Sequence, residues 1–159
     1  MLFRSKCKLD LGLVVDTTQS IKKENIPILT AALKHLVQQF DISEDGTHVS
    51  FQTFAKETKH HNTFNDAMYY SENAILGLLS NSIELSKPTR IDLALKTAAE
   101  KMFTDKAGLR PGVARAMVLY TDGRSHPQTN DFYLDVVALK VRPLTIDCMG
   151  KVSCNDFCC

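Results

Sequence analysis

The stretch that decides the fold is Leu9-Asp-Leu-Gly-Leu-Val-Val-Asp16, followed at once by Thr17-Thr-Gln-Ser20. Leu9, Leu11, Leu13 and Val15 alternate and merge with Val14 into an apolar run, the pattern of a strand buried on both faces of a mostly parallel sheet. The run stops at Asp16. After the polar segment from Thr17 to Asn25, Ile26, Leu29, Leu33, Leu36, Val37 and Phe40 recur at helical spacing, with Pro27 acceptable because it falls in the first turn. The opening therefore reads as strand, loop, amphipathic helix.

The same grammar continues along the chain. Asp41 to Gly46 supply a turn, and Val49, Phe51 and Thr53 begin a second strand with Ser50 and Gln52 on its other face; Thr58 to Phe64 is expected to form a short hairpin partner. Phe64 to Ser82 reads as a helix whose buried stripe is Ala74, Ile75, Leu78 and Leu79, and Glu84 to Pro88 as a loop. Ile91, Ala94, Leu95, Ala98 and Met102 mark another helix, with Thr89 and Asp92 spaced as a capping box. A breaker at Gly108 to Gly112 precedes a strand from Ala116 to Tyr120, which ends at Thr121-Asp122-Gly123. Phe132, Val136, Leu139 and Lys140 suggest one more helix, and Leu144 to Cys148 one more strand. Strands alternating with helices predict an α/β fold, doubly wound, in which right-handed crossovers build a mostly parallel, Rossmann-like central sheet flanked by helices.

Bulk properties fit one such domain and restrict its function. The chain has 159 residues, 44% hydrophobic and 23% charged, enough for one core without staples. Nineteen basic and eighteen acidic side chains leave a net charge of +1, so nothing global favours nucleic acid or an anionic membrane as partner. The first residues are too short and too charged an apolar run for a signal peptide or a membrane span, so any leader lies outside this chain. Cys7 precedes the expected domain at residues 8–150, Cys148 lies near its C-terminal end, and Cys154, Cys158 and Cys159 crowd the tail at 151–159. This usage suits an oxidising compartment. The odd count leaves at least one thiol free or paired with another chain, and a bridge from Cys7 to the C-terminal group would staple the ends. No paired Cys-x-x-Cys clusters support a zinc site.

In open α/β sheets ligands sit beyond the carboxyl ends of the strands. Asp16 and Asp122 close two such strands. Thr18 and Ser20 follow Asp16 at alternate positions, so an extended loop points all three side chains the same way, and Thr89 opens a helix at the same edge. Each alone is an ordinary turn or cap residue. Converging, two carboxylates and three hydroxyls form an all-oxygen set suited to Mg²⁺, Mn²⁺ or Ca²⁺. His60, His61 and His126 have no partners at metal-binding spacing and read as solvated loop residues; Asp131 and Asp135 read as a solvated helix face. A nucleotide enzyme would need glycines and a lysine after the first strand, which Asp16 to Ser20 lacks. A phosphohydrolase with a strand-end Asp nucleophile would need a basic residue beside Asp16 to hold the phosphate.

Leu13-Val-Val-Asp-Thr-Thr-Gln-Ser20 resembles the Asp-x-Ser-x-Ser signature of von Willebrand factor A and integrin inserted domains, and Leu119-Tyr-Thr-Asp-Gly-Arg-Ser125 resembles their Thr-Asp-Gly-x-Ser signature. Pro88-Thr-Arg-Ile-Asp-Leu-Ala-Leu95 is similar to the loop that carries the third metal-directed residue. The order and intervals agree over residues 8 to 150. The resemblance implies a metal-ion-dependent adhesion site built from Asp16, Thr18, Ser20, Thr89 and Asp122, whose open position is completed by an Asp or Glu of an extracellular or matrix partner, and it implies a non-enzymatic, extracellular binding module. Two departures stand out. Thr18 replaces the first Ser and stiffens the side chain at χ1. After Asp147-Cys-Met-Gly150 the chain offers only nine residues where the family continues into a helix, a strand and a C-terminal helix, so those elements are expected to be missing.

Overall fold

A computed structural model describes residues 8–121. Strand β1 (Leu9–Asp16) is completely buried. Helix α1 (Ile26–Val37) follows and buries Leu29, Leu33 and Val37. Strands β2 (Thr47–Phe54) and β3 (Thr58–His60) form the hairpin, then come α2 (Glu72–Asn81), α3 (Ile91–Thr97) and β4 (Ala114–Tyr120). Among the described residues the sheet order is β3-β2-β1-β4. β1 lies parallel to both β2 and β4, with Asp16 level with Phe54 and Val15 level with Tyr120, while β3 runs antiparallel to β2. This is the mostly parallel sheet expected, with one short antiparallel strand.

Side chains that alternate along β1 face different layers. Leu9, Leu11, Leu13 and Val15 join Leu29, Leu33, Ile75 and Leu79 in a core under α1 and α2, whereas Val14 packs with Ile91, Ala94, Leu95 and Met102 under α3. Helices therefore cover both faces. Gly12 lies on the α3 side, where a Cβ would stand 2.6 Å from the Phe103 ring and 2.7 Å from the Met102 sulfur. A side chain at this position would have to displace the Phe103 ring and the end of Met102.

Three local expectations are corrected. The helix placed from Phe64 to Ser82 starts at Glu72, because Asp66 caps a 3₁₀ turn over Ala67–Tyr69 and Ser71 accepts from the Ala74 amide as the true N-cap. Thr89 does not cap α3: Arg90 holds the N-cap position without a side-chain bond, and Asp92 instead receives both arms of the Arg90 guanidinium, at 2.9 and 2.7 Å. The helix through Met102 widens over Ala98–Met102 into a π turn.

Asp10, which interrupts the apolar reading of β1, is fully buried. Its carboxylate takes the Arg110 Nε–H at 2.8 Å and the Arg110 backbone N–H at 2.8 Å, and the same guanidinium donates to the carbonyls of Leu9 and Gly46. This knot closes the end of the sheet remote from Asp16. The final helix, final strand, Cys7, the C-terminal cysteines, His126, Asp131 and Asp135 lie outside the described residues.

Candidate metal centre

The carboxyl end of β1 is shaped by backbone bonds that fix the following loop. Thr17 donates from both N and Oγ1 to the Phe54 carbonyl, at 2.9 and 3.2 Å. The segment near Ser86 clamps the loop from the other side: Ser86 N donates to Thr17 O and Gln19 N to Ser86 O, each at 2.9 Å. Lys22 then adopts φ +61° between the 3₁₀ turns Gln19–Ile21 and Lys23–Asn25, a conformation that a residue with a Cβ holds only when its surroundings enforce it. Here Lys22 N donates to Gln19 O, Asn25 N to Lys22 O, and the Asn25 side chain to Ile21 O.

Within this frame Asp16 is fully buried and Thr18 nearly so, while Ser20 is exposed. One Asp16 oxygen accepts the Thr18 amide at 2.8 Å. The other accepts the Thr121 hydroxyl at 2.9 Å. The Thr18 and Ser20 hydroxyl oxygens lie 2.7 Å apart, close to the roughly 3 Å between neighbouring oxygens around an octahedral ion with ligands at about 2.1 Å. Each Asp16 oxygen keeps a lone pair beyond its hydrogen bond. Buried carboxylate and paired hydroxyls thus suit a hard divalent cation. Among the described residues no three His, Cys, Asp or Glu side chains converge to hold a metal.

The structure joins Asp16, Thr18 and Ser20. Thr89 lies half-buried at the same edge, next to Arg90, whose amide donates to Ala55 O beyond the end of β2, but no hydrogen bond ties it to the other three among the described residues. Asp122 lies outside the described residues. Thr121, one position earlier, is the residue that sequence reasoning passed over: it appears in the second motif, but only geometry reveals that it orients Asp16.

His60 and His61 are half-buried rather than solvated loop residues. His61 Nε2 pairs with Thr53 Oγ1 at 2.8 Å and its ring stacks on Phe51, and burial foremost, then the charge of Lys59, pushes its pKa down to about 4. His60 bonds Ser50 Oγ and the Asn62 carbonyl, and burial lowers its pKa too. Both brace the β2–β3 hairpin and stand as structural residues.

Comparison with known proteins bears on the family and the fold. The family model of the von Willebrand factor type A domain matches residues 10–149, and the chain belongs to that family. Matrilin-1 of Homo sapiens is 25% identical over 122 residues, covering 77% of this chain and 24% of its own length. A collagen alpha-6(VI) chain of Mus musculus is 26% identical over 148 residues, covering 93% of this chain and 6% of its own. The chain thus spans about a quarter or less of these curated relatives. Among solved structures, proximal thread matrix protein 1 from the mussel byssus, with a zinc-occupied MIDAS motif, superposes with a TM-score of 0.69 at 23% identity, covering 80% of this chain and 32% of that one. That likeness is one of fold.

Proposed function

We propose that this domain is a divalent-metal-dependent protein-binding module of an extracellular or matrix protein, with the ion held by Asp16, Thr18, Ser20, Thr89 and Asp122. The observation that carries this reading is the buried Asp16 carboxylate, aimed by the Thr18 amide and the Thr121 hydroxyl beside the Thr18–Ser20 hydroxyl pair. Such an ion, when bound, supplies Lewis acidity and a vacant oxygen position. Asp16 supplies charge, Thr18 and Ser20 supply neutral oxygens, and Thr121 keeps the carboxylate from rotating. Two protein carboxylates leave a divalent ion little spare charge but a vacant oxygen position, which an Asp or Glu from the partner would fill.

The relatives support the setting, since they include a matrilin and a collagen chain. A structural neighbour holds zinc in its MIDAS motif, which places zinc beside Mg²⁺, Mn²⁺ and Ca²⁺ among the ions to test. A phosphohydrolase is the weaker reading: no Lys or Arg bonds Asp16 among the described residues, and the two groups that do are an amide and a hydroxyl. Calorimetry with Mg²⁺, Mn²⁺, Ca²⁺ and Zn²⁺ on the parent and on Asp16→Ala tests the proposal. Binding by the parent and none by the variant is expected. Equal binding by both removes the site, and binding by neither leaves a purely structural matrix domain.

A further inference from the structure

Among the described residues Lys22 is the one non-glycine residue with positive φ, and it follows Ser20 by two positions. At φ 61° and ψ 144° it sits at the edge of a region used almost only by glycine. A half-turn of the Ile21–Lys22 peptide plane relieves this strain: φ changes by about 180°, to roughly −120°, ψ is kept, and Lys22 enters the ordinary extended region. The half-turn breaks the bonds that depend on that plane, from Lys22 N–H to Gln19 O at 3.1 Å and from Asn25 Nδ2–H to Ile21 O at 2.8 Å. Net of solvation, hydrogen bonds of neutral groups contribute about as much as such strain costs, and Lys22 to Asn25 are exposed to solvent. The two orientations of the peptide are therefore close in free energy.

Their difference reaches the proposed centre through Ser20. Gln19 to Lys22 form a turn closed by the Lys22 N–H to Gln19 O bond, and Ser20 lies inside it. Its neighbours are fixed, Gln19 by the Ser86 carbonyl and Ile21 by burial of its side chain, so loss of the closing bond frees Ser20 and little else. While the turn is closed, the Ser20 hydroxyl oxygen stands 2.7 Å from that of Thr18. Asn25 holds it closed: at the N-cap position of α1 its side chain makes no capping bond and donates to Ile21 O instead. The geometry points to Lys22 and Asn25 as positioning residues for the ion, a strained peptide and its latch, which present Ser20 in one orientation and withdraw it in the other; this role rests on the metal-dependent reading. An ion on Ser20 favours the closed turn, and closing the turn tightens the ion by the same factor.

The test uses the full chain, with Mg²⁺ alone as the probe. Lys22→Gly and Lys22→Ala remove the same ammonium, but only glycine removes the strain, so Lys22→Gly should bind Mg²⁺ about 5-fold tighter than Lys22→Ala. Asn25→Asp reverses the latch. A carboxylate only accepts, so it repels Ile21 O and takes the Lys22 N–H once the peptide has turned. Mg²⁺ affinity should fall about 5-fold, although an added negative charge near a cation would by itself raise it. In chelator, the intraresidue HN–Hα cross-peak of Lys22, strong at positive φ and weak at negative φ, should weaken from the parent to Asn25→Asp without a fall in Tm, where a merely structural loss would show. The proposal is overturned if Lys22→Gly and Lys22→Ala bind Mg²⁺ equally, if Asn25→Asp binds it as tightly as the parent or tighter, or if the Lys22 cross-peak is the same in both. If the parent binds no Mg²⁺, the metal reading falls; the cross-peak in chelator needs no ion and separately decides whether the latch turns the peptide.

Discussion

Asp16→Asn separates function from stability at the proposed centre. The carboxylate is fully buried, accepts from the Thr18 amide and the Thr121 hydroxyl, and has no cationic partner among the described residues. In the variant the amide oxygen still accepts from Thr18 N, and the Thr121 hydroxyl can turn to accept from the new NH₂. Two charge-assisted bonds become neutral ones, a loss of about 1–2 kcal/mol. Relief from burying an unpaired charge is larger, on the order of several kcal/mol after relaxation. In chelator, Asp16→Asn should therefore be as stable as the parent or more so, by about 1–3 kcal/mol. Metal reverses the order: ion at 100 times its dissociation constant adds about 2.7 kcal/mol to a protein that binds it, roughly 5–10 °C in Tm for a chain of this size. Thermal melts of both proteins with Mg²⁺ and with chelator give the four values. A parent Tm that ignores Mg²⁺, together with a variant more than about 2 kcal/mol less stable in chelator, would show that Asp16 is a structural carboxylate and refute the reasoning.

Other consequences can be checked in parallel. Arg110→Ala leaves the buried Asp10 carboxylate unpaired and should cost about 3–5 kcal/mol in urea titration, with Asp10→Asn in the same chain recovering part of it. Gly12→Ala drives a methyl into Phe103 and Met102 and should cost about 1–3 kcal/mol; Phe103→Leu should restore some stability, and metal affinity should be unchanged. His61 titrates near pH 4 when folded against an ordinary 6.5, so between those values the unfolded chain holds more protons. Its contribution is complete above pH 6.5 and is lost as the pH falls toward 4. His61→Gln should flatten the loss of stability over that window in pH-resolved melts.

What could be read from the sequence follows from range. The alternation of Leu9 to Val15 and the helical spacing of Leu29, Leu33 and Val37 are local, and both match the observed burial. The Asp16–Thr18–Ser20 group was legible because its members share one loop at one strand end. Asp10 was not: its partner Arg110 lies 100 residues away in a segment that reads only as a breaker, and an isolated Asp in an apolar run gives no sign of such a pair. The false capping box at Thr89 has a different cause. Spacing alone cannot say that Arg90, two residues before Asp92, reaches that carboxylate first. His60 and His61 looked solvated because burial by a hairpin depends on how β3 folds back on β2. Thr121 needed the parallel pairing of β4 with β1, which brings the end of one strand beside the end of the other.

The central claim is that a divalent ion sits on the Asp16 loop, and paramagnetic Mn²⁺ reports its position directly. In ¹⁵N-resolved spectra, substoichiometric Mn²⁺ should broaden the amide signals of Asp16 to Ser20 first, then those of Ser86 to Arg90 and Thr121, and Asp16→Ala should abolish the pattern. Broadening centred elsewhere, or unchanged in that variant, would contradict the account.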